Sequence, residues 1–547
     1  MRSIFDRRKF HWPDNLDAQK RQYFYLCLLA GLLFLPSLGV RDFWAPVEPR
    51  YAEIVRIMFL NNEWIIPTIN GELYTDKPIL YFWLALLSSK LVGALNEWTV
   101  RFPAALGALG VVLTTYALGK NFFSARIGVI AAAVLATSAR VIWEGRWAHV
   151  DMVFTFFFAL SMHFAARIVL RHGTDNELFL TYALMALATL TKGLIGVVLP
   201  ALILLTFVLV RRDWRILKEA RLGWGILIFL VIVAPWFVLV TVATDGKWFT
   251  DFIYLHHIQR YTAGFGHRQP LYYYFKTLPV DFLPWTIFAI PALFTYKLRS
   301  KLFENPTALF FTLWFLVVFV FFTLSDTKRD LYLLPLFPPL ALLVGNYIDD
   351  LAAGNLAQDR WYRGLSLIFF HALWLGCLAL PVVARLIFKD AFWPSLPLAF
   401  TMACGGFAAA YFVSHRAPWK VFLATALTMA LAVLTASVWF LPFLERYKSP
   451  RPFAVEVKKR VPASAALYIY ADAMHDYNFY TERAVIPVVA SQVALQKLLL
   501  QDELAYMMIK GRDLDGAKLV KRERIVFRAG AQGRIWYLIE LGSRAKP

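Results

Sequence analysis

The sequence predicts a polytopic α-helical membrane protein that ends in a small water-soluble α/β domain. Of its 547 residues, 59% are hydrophobic and 17% are charged, whereas soluble globular proteins carry roughly 25% charged and 45–50% apolar residues. Apolar stretches of about 20 residues, the length that crosses a bilayer, recur from Tyr23 to Phe443 and then stop. We therefore predict a transmembrane domain over residues 1–443 and a soluble domain over residues 444–547.

Basic residues near the N-terminus predict the orientation of the first span, at about 23–40. Lysine and arginine concentrate on the cytoplasmic side of membrane proteins, so we expect the segment before this span in the cytoplasm. The apolar run is long enough to span and follows a polar, basic segment, which favours an anchor over a cleavable signal peptide. The basic residues of the leader are Arg2, Arg7, Arg8, Lys9, Lys20 and Arg21.

The charge distribution favours about 13 membrane spans. Counting each apolar run gives about 14 segments. However, a span at 79–95 would place Lys120 and Arg126 outside and move each later loop to the opposite side of the membrane. We therefore predict that 79–95 is a juxtamembrane helix on the outer surface and that the C-terminal domain also lies outside. The basic residues then predicted inside are Arg167, Arg171, the cluster Arg211–Arg221, Lys297, Arg299, Lys301, Arg360, Arg363, Arg416 and Lys420.

Short strand-like runs predict the α/β character of the C-terminal domain. A linker that contains Pro450 and Pro452 opens the domain at residues 447–452, and a helix is expected near 491–500. The predicted strands are 466–470, 504–509, 525–527 and 534–540.

Charge placement and cysteine placement exclude two other classes. The net charge of +20 is carried largely by short loops between apolar runs. We therefore expect no nucleic-acid partner, since such a partner requires a basic face. The three cysteines, Cys27, Cys377 and Cys404, lie inside apolar segments, so no disulfide framework is expected.

The first outer loop, residues 41–100, carries two groups suited to chemistry at the membrane surface. Glu48 follows a span closely, where partial desolvation raises the pKa of a carboxylate and suits it to act as a base. The alternative is a structural ion pair between Glu48 and Arg50. Lys77 precedes Pro78 at the end of the same loop, where it could hold a phosphate as a point charge. Snorkelling to the interface is the alternative for Lys77.

The later outer loops, 141–151, 244–280 and 325–331, add further polar groups to the same face. Asp151 opens an apolar span, where an acid is either an active-site group or a partner of the helix dipole. His256 or His257 could bind a divalent ion together with Asp76, because imidazole and carboxylate are zinc ligands. Together these loops suit chemistry on a phosphate-bearing lipid, in which cations hold the leaving phosphate and a carboxylate prepares the acceptor.

Six short strings spread over the whole chain carry a family resemblance. They are EPRYAE at 48–53, DKP at 76–78, RFP at 101–103, RWAHVD at 146–151, HIQRY at 257–261 and YLLPL at 332–336. With these strings the sequence resembles the aminoarabinose transferase (ArnT-like) branch of the GT-C glycosyltransferases, which is related to the protein O-mannosyltransferases.

The resemblance implies a fold and a set of site residues. It implies about 13 spans, two juxtamembrane helices in the first outer loop and a polyprenyl-phosphate sugar donor, undecaprenyl phosphate in bacteria. It also implies that Asp151 is an active-site acid. The implied contacts to the donor phosphate are Arg50, Tyr51, Lys77, Arg260 and Tyr332. A divalent metal, either zinc or magnesium or manganese, is implied near Asp76 and His256 or His257.

The sequence departs from the family pattern at one position of the first loop. The family string usually begins with an aspartate before the glutamate, and that aspartate is the catalytic acid, whereas this chain has Val47. We therefore predict that Glu48 takes the catalytic role together with Asp151.

These expectations combine into one predicted function with three alternatives. We predict a monomeric inverting glycosyltransferase of the bacterial inner membrane, with its active site and C-terminal domain in the periplasm. It would move a sugar from polyprenyl phosphate to a lipid or glycan acceptor such as lipid A or another glycolipid. The alternatives are a protein O-mannosyltransferase-like enzyme with a hydroxyl acceptor, a lipid transporter and a non-catalytic sugar-lipid binder.

Overall fold

The computed structural model describes residues 16–259, 268–295, 305–356, 360–471, 473–500, 504–514 and 524–541. The chain divides into two compact units. The first unit contains the described residues of 1–36, 75–81 and 102–439, and the second contains those of 37–74, 82–101 and 440–547. Parts of the first outer loop therefore belong to the same unit as the C-terminal domain. The basic residues up to Lys9 and those at 297–301 lie outside the described residues.

The N-terminal half of the chain is almost entirely helical. Its short hairpin consists of β1 (Thr68–Ile69) and β2 (Glu72–Leu73). Its helices are α1 (Leu16–Phe34), α2 (Val47–Asn61), α3 (Leu80–Val92), α4 (Glu97–Phe122), α5 (Ala125–Ala136), α6 (Ala139–Glu144), α7 (Val150–Val169), α8 (Asp175–Lys192), α9 (Ile195–Arg211), α10 (Arg215–Glu219), α11 (Leu222–Ala243) and α12 (Lys247–Ile253), followed by a π-helical turn (Tyr254–Gln259).

Further helices follow up to the C-terminal domain. They are α13 (Tyr273–Asp281), α14 (Thr286–Thr295), α15 (Pro306–Leu324), a 3₁₀ helix (Asp330–Leu336), α16 (Phe337–Ala352), α17 (Arg360–Ile387), α18 (Phe392–Ser414) and α19 (Pro418–Thr435), then a π-helical turn (Ala436–Phe440) and α20 (Leu441–Lys448).

Apolar helices of membrane-spanning length establish a multi-pass membrane protein. Within the described residues, eight helices are long and apolar enough to cross a membrane, or nine if the bent pair α13 and α14 forms one broken span. The predicted total of about 13 would be reached if α1, α5, α8 and α9 cross as well. Helix α3, in the segment predicted to lie along the surface, has 13 residues. At about 1.5 Å per residue it is shorter than a bilayer core of about 30 Å.

The first unit is organised around the 3₁₀ helix and α16. In this segment 89% of an apolar 18-residue stretch is buried, whereas only 17% of the corresponding stretch of α11 is buried. The 3₁₀ helix and α16 therefore form the packed interior, and α11 presents its apolar side chains to lipid. Close packing of α16 on α5 requires a glycine, because a Cβ on Gly345 would lie 3.0 Å from the backbone nitrogen of Ala131.

The C-terminal chain of the second unit forms a mixed five-stranded sheet. Its elements are α21 (Arg451–Arg460), β3 (Ala466–Tyr470), α22 (His475–Thr481), β4 (Val488–Val489), α23 (Gln492–Leu499), β5 (Ala505–Lys510), α24 (Gly511–Leu514), β6 (Arg524–Ala531) and β7 (Arg534–Leu541). The strand order is β4-β3-β5-β7-β6, with parallel pairing of β3 to β4 and β5 and antiparallel pairing of β7 to β5 and β6. The predicted α/β domain is confirmed.

Two details of the C-terminal chain differ from the prediction. The predicted linker is shorter, because α20 continues to Lys448 and α21 begins at Arg451. Proline is tolerated in the first turn of a helix, where its missing N–H has no intrahelical partner. The two-residue strand β4 is an addition to the predicted set, since a strand this short leaves no alternating pattern to detect.

Hydrogen bonds join the first outer loop to the C-terminal chain inside the second unit. The hydroxyl of Tyr480 accepts a hydrogen bond from the backbone N–H of Phe43 at 2.8 Å and donates one to Glu97 Oε1 at 2.9 Å. The side chain of Ser449 donates to Asp42 Oδ2 at 2.6 Å. Helix α2 also packs against α22. Residues 37–74 and 82–101 therefore fold together with the C-terminal chain.

Candidate active site

Asp151 lies in a buried ionic cluster of the first unit. It is the second residue of α7 and only 1% exposed, so the helix dipole favours its negative charge. Its two carboxylate oxygens contact His149 Nδ1 and Lys192 Nζ. Lys192 is the last residue of α8 and is itself buried. The carboxylate is therefore held between two nitrogen donors from different helical segments.

Lys192 connects Asp151 to another of the predicted site residues. Its Nζ lies 4.7 Å from the ring centroid of Tyr332 and 5.1 Å from that of Phe154. Cations bind the faces of aromatic rings at such distances. Tyr332 is supplied by the 3₁₀ helix of the packed interior. The structure thus brings Asp151 and Tyr332 together around Lys192, a residue to which the sequence analysis assigned no role.

Asp76 and Lys77 form a second, more accessible cluster of the first unit. Lys77 Nζ donates to Asp76 Oδ1 at 2.9 Å, and His256 Nδ1 lies 3.3 Å from the same oxygen. The other ring nitrogen of His256 lies 3.2 Å from Thr75 Oγ1. The Lys77 and Asp76 side chains are 13% and 18% exposed, so both are partly accessible to solvent.

The described residues supply only part of a metal site. Asp76 and His256 lie in contact. However, no group of three His, Cys, Asp or Glu side chains suited to a metal occurs among the described residues. A structural zinc ion requires four protein ligands and a catalytic zinc ion requires three. The ligands found among the described residues are too few for zinc, and the His257 side chain lies outside the described part of the chain. The metal therefore stays a prediction.

In the second unit, Glu48 is locked between two arginines. Its carboxylate is fully buried, with Arg41 donating at 2.6 and 2.9 Å and Arg101 donating at 2.7 and 2.9 Å. Trp44 adds its backbone N–H at 3.1 Å. Arg101 also donates to the carbonyls of Leu38 and Arg41, both at 2.5 Å. Glu48 and Arg101 therefore fix the chain path into α2.

The raised pKa expected for Glu48 is wrong. Burial alone would raise it, but the charges and hydrogen bonds of Arg101 and Arg41 outweigh burial and lower the pKa of Glu48 to about 2. A fully buried carboxylate with so low a pKa is a poor proton acceptor at neutral pH. The Glu48–Arg50 pair also does not form, because residues two apart on a helix face different directions. Arg41 and Arg101 hold the Glu48 carboxylate in place, and its catalytic role stays a prediction.

The remaining predicted phosphate ligands lie in different surroundings. Arg50 is on α2 and lies near His475 of α22, whose pKa is lowered to about 4 by burial and by the charge of Arg50. Tyr51 is 2% exposed, and its ring packs edge-on against Tyr74 and Phe82. Arg260 lies outside the described residues. Phosphate contact by these residues stays a prediction.

The partner residues that sequence reasoning missed carried weak signals. Lys192 is a single charge between two apolar runs, and Arg101 occurs in the RFP string without an evident partner. Both could have been found by asking which cation neutralises each acid that enters an apolar region, because buried charges are almost always paired.

Removal of the Glu48 charge is expected to destabilise the protein. Glu48→Gln leaves two buried guanidinium groups without their shared anion, and breaking a buried ion pair costs about 3–5 kcal/mol. Thermal unfolding of the purified protein in detergent, followed by tryptophan fluorescence, measures the loss. Glu72→Gln, at an exposed acid of the same unit, is the matched control with an unchanged midpoint. A Glu48→Gln variant as stable as the parent but inactive would restore the role of base.

A double-mutant cycle tests the coupling between Asp151 and Lys192. Each of Asp151→Asn and Lys192→Met leaves a buried partner unpaired, so the double variant should lose less stability than the sum of the single losses. The expected coupling energy is about 1–3 kcal/mol in the same unfolding measurement. The exposed pair Lys247 and Asp251 is the control, with a coupling of about 0.5 kcal/mol or less. Equal coupling energies for the two pairs would contradict a buried ion pair between Asp151 and Lys192.

Comparison with known proteins identifies the family. A model of the dolichyl-phosphate-mannose-protein mannosyltransferase family matches residues 76–239. The undecaprenyl phosphate-alpha-4-amino-4-deoxy-L-arabinose arabinosyl transferase of Pseudomonas paraeruginosa is 30% identical over 77% of this chain and 76% of its own. The transferase of the same name from Shewanella sediminis is 27% identical over 83% of each chain.

The fold agrees with that relationship. The crystal structure of ArnT from Cupriavidus metallidurans bound to undecaprenyl phosphate covers 95% of this chain and 98% of its own, with a TM-score of 0.77 and 23% identity. An archaeal oligosaccharyltransferase from Archaeoglobus fulgidus, with a TM-score of 0.54, shares the fold over 91% of this chain and 70% of its own. The chain therefore belongs to the family of undecaprenyl phosphate-aminoarabinose arabinosyl transferases and is a GT-C glycosyltransferase.

Proposed function

We propose that this enzyme transfers an amino sugar from undecaprenyl phosphate to an anionic lipid acceptor at the periplasmic face of the bacterial inner membrane. The observation that carries the proposal is the 30% identity, over 77% of the chain, to a transferase named for that donor. The partly exposed side chain of Lys77 supports it, since lysine binds phosphate as a point charge.

Lys77 is the proposed partner of the leaving group. In a direct displacement, an acceptor oxygen attacks the anomeric carbon of the sugar while the bond from that carbon to the phosphate oxygen breaks. The electron pair stays on the phosphate, which becomes more negative as the bond breaks. A cation held in place by Asp76 and His256 stabilises that charge without having to reorganise. Attack from the opposite face inverts the sugar configuration.

The buried carboxylates favour an acceptor that needs no base. Glu48 is engaged by two arginines, and Asp151 is engaged by Lys192 and His149. A phosphate monoester carries about 1.5 to 2 negative charges at neutral pH, so its oxygen attacks without losing a proton. A phosphorylated glycolipid such as lipid A has this chemistry and is the acceptor that we propose.

A hydroxyl acceptor is the second candidate. The match of residues 76–239 to a family described as protein mannosyltransferases favours it. Such an acceptor must lose its proton during attack, so one carboxylate of the site would have to exchange its cationic partner for the acceptor hydroxyl. Asp151, whose side chain contacts a histidine, is the residue suited to that role.

The proposed donor site is tested by transfer from a labelled donor. The protein, reconstituted in lipid nanodiscs, should move the sugar of radiolabelled undecaprenyl phosphate-aminoarabinose to lipid A. Lys77→Ala should raise the KM for the donor about tenfold or more, since a hydrogen bond to a charged group contributes about 1.5–3 kcal/mol. The matched control is Lys247→Ala, at a lysine that is also paired with an aspartate but exposed.

Two results would count against this proposal. Absence of transfer by the parent protein to any phosphorylated acceptor contradicts the function itself. Transfer with the same donor KM in Lys77→Ala and the parent contradicts the phosphate role of Lys77 and leaves the function in place.

A further inference from the structure

A second charged cluster of the first unit contains more carboxylates than cations. Arg140 of α6 is its arginine, and Glu144, Asp281 and Asp330 all lie within ion-pair distance of that guanidinium group. One guanidinium group therefore faces three carboxyl groups. The larger number of carboxyl groups distinguishes this cluster from the Asp151 cluster, in which Lys192 pairs with the single carboxylate.

The carboxylates of this cluster use only part of their hydrogen-bonding capacity. Asp281 Oδ1 accepts from Arg140 at 2.7 and 3.1 Å, and Glu144 Oε1 accepts from it at 3.3 Å. Their other oxygens, Asp281 Oδ2 and Glu144 Oε2, are buried and have no hydrogen-bond donor in the described part of the chain. The two side chains are 8% and 3% exposed. Buried carboxylate oxygens without donors are costly, so these two oxygens are available to accept hydrogen bonds from a ligand.

The cluster adjoins the Asp151 site. Asp330 and Tyr332 belong to the same 3₁₀ helix, with Asp330 bound to Arg140 and Tyr332 facing Lys192. The charge on Asp151 also contributes to a raised pKa of Glu144, after the larger effect of burial. At 34% exposure, the Asp330 side chain forms the open side of the cluster. A ligand that reaches Asp151 and Tyr332 is therefore close to these oxygens.

The charge and the number of hydrogen-bond donors of a ligand determine how well it suits this cluster. The described residues of the cluster do not form a metal-binding group. A primary ammonium group carries one positive charge and three N–H donors, so it supplies the kind of donor that the two buried oxygens lack and also a positive charge. A neutral hydroxyl has one donor hydrogen and leaves the charge as it is.

We propose that Glu144 and Asp281 bind the ammonium group of the donor sugar and thereby make the enzyme selective for amino sugars. This inference rests on the proposed function and adds the residues that determine sugar specificity. Neither residue takes part in bond breaking, so their effect belongs to recognition of the sugar.

The test compares two donors that differ only at the amino group. Initial rates are measured for the nanodisc protein with undecaprenyl phosphate carrying either 4-amino-4-deoxy-L-arabinose or L-arabinose. The parent should show a KM at least about tenfold lower for the amino sugar. Glu144→Gln and Asp281→Asn should each raise the KM for the amino donor by about that factor and raise the KM for the hydroxyl donor by clearly less. Asp245→Asn, the same change of charge at an exposed residue of the same unit, is the control.

Each result has a separate meaning. Transfer of both sugars by the parent with equal KM overturns the inference and leaves the proposed function standing. A preference for the amino sugar that survives in both variants overturns the assignment of Glu144 and Asp281, which are then protonated structural residues. Transfer of neither sugar contradicts the proposed function, and the inference falls with it. The comparison of donors in the parent remains decisive if a variant fails to fold, which thermal unfolding detects.

Discussion

A charged side chain that is buried away from water costs several kcal/mol unless an opposite charge accompanies it, and the described site of this enzyme depends on that constraint. Glu48 is buried with Arg41 and Arg101, and Asp151 is buried with Lys192 and His149. In each group one pairing joins distant parts of the chain, Arg101 with Glu48 and Lys192 with Asp151. The ion pairs therefore set the path of the first loop in one unit and join α7 to α8 in the other.

This constraint also changes the roles of the acids. The sequence suggested that Glu48 is a reactive carboxylate, but two guanidinium groups lower its pKa to about 2 and keep it ionised. Val47 stands where the family string usually carries an aspartate, and Glu48 is engaged by two arginines. In the proposed mechanism, catalysis relies on stabilising the departing phosphate and on an acceptor that is already charged. The cluster around Arg140 is the exception, because its carboxylates outnumber its cation.

The fold could be predicted largely from the sequence, because its signals are local. Long apolar runs mark α4, α7 and α11, and alternating short runs mark β3 and β5. The partners within the site could not be predicted in the same way. Arg101 lies 53 residues from Glu48 and Lys192 lies 41 residues from Asp151, so only the tertiary fold brings them together. Local reasoning proposed Arg50 for Glu48, although a spacing of two residues points to different faces of α2.

The requirement for a charged acceptor is the central claim, and one comparison of acceptors tests it most directly. Transfer by the nanodisc protein from undecaprenyl phosphate-aminoarabinose is measured with two glycolipids that differ only in a phosphate monoester replaced by a hydroxyl. The account predicts transfer to the phosphate and a rate about 100-fold or more lower with the hydroxyl, because general base catalysis typically contributes about 10²–10⁴-fold. Equal rates with the two acceptors would contradict it and would show that a carboxylate of the site removes the acceptor proton.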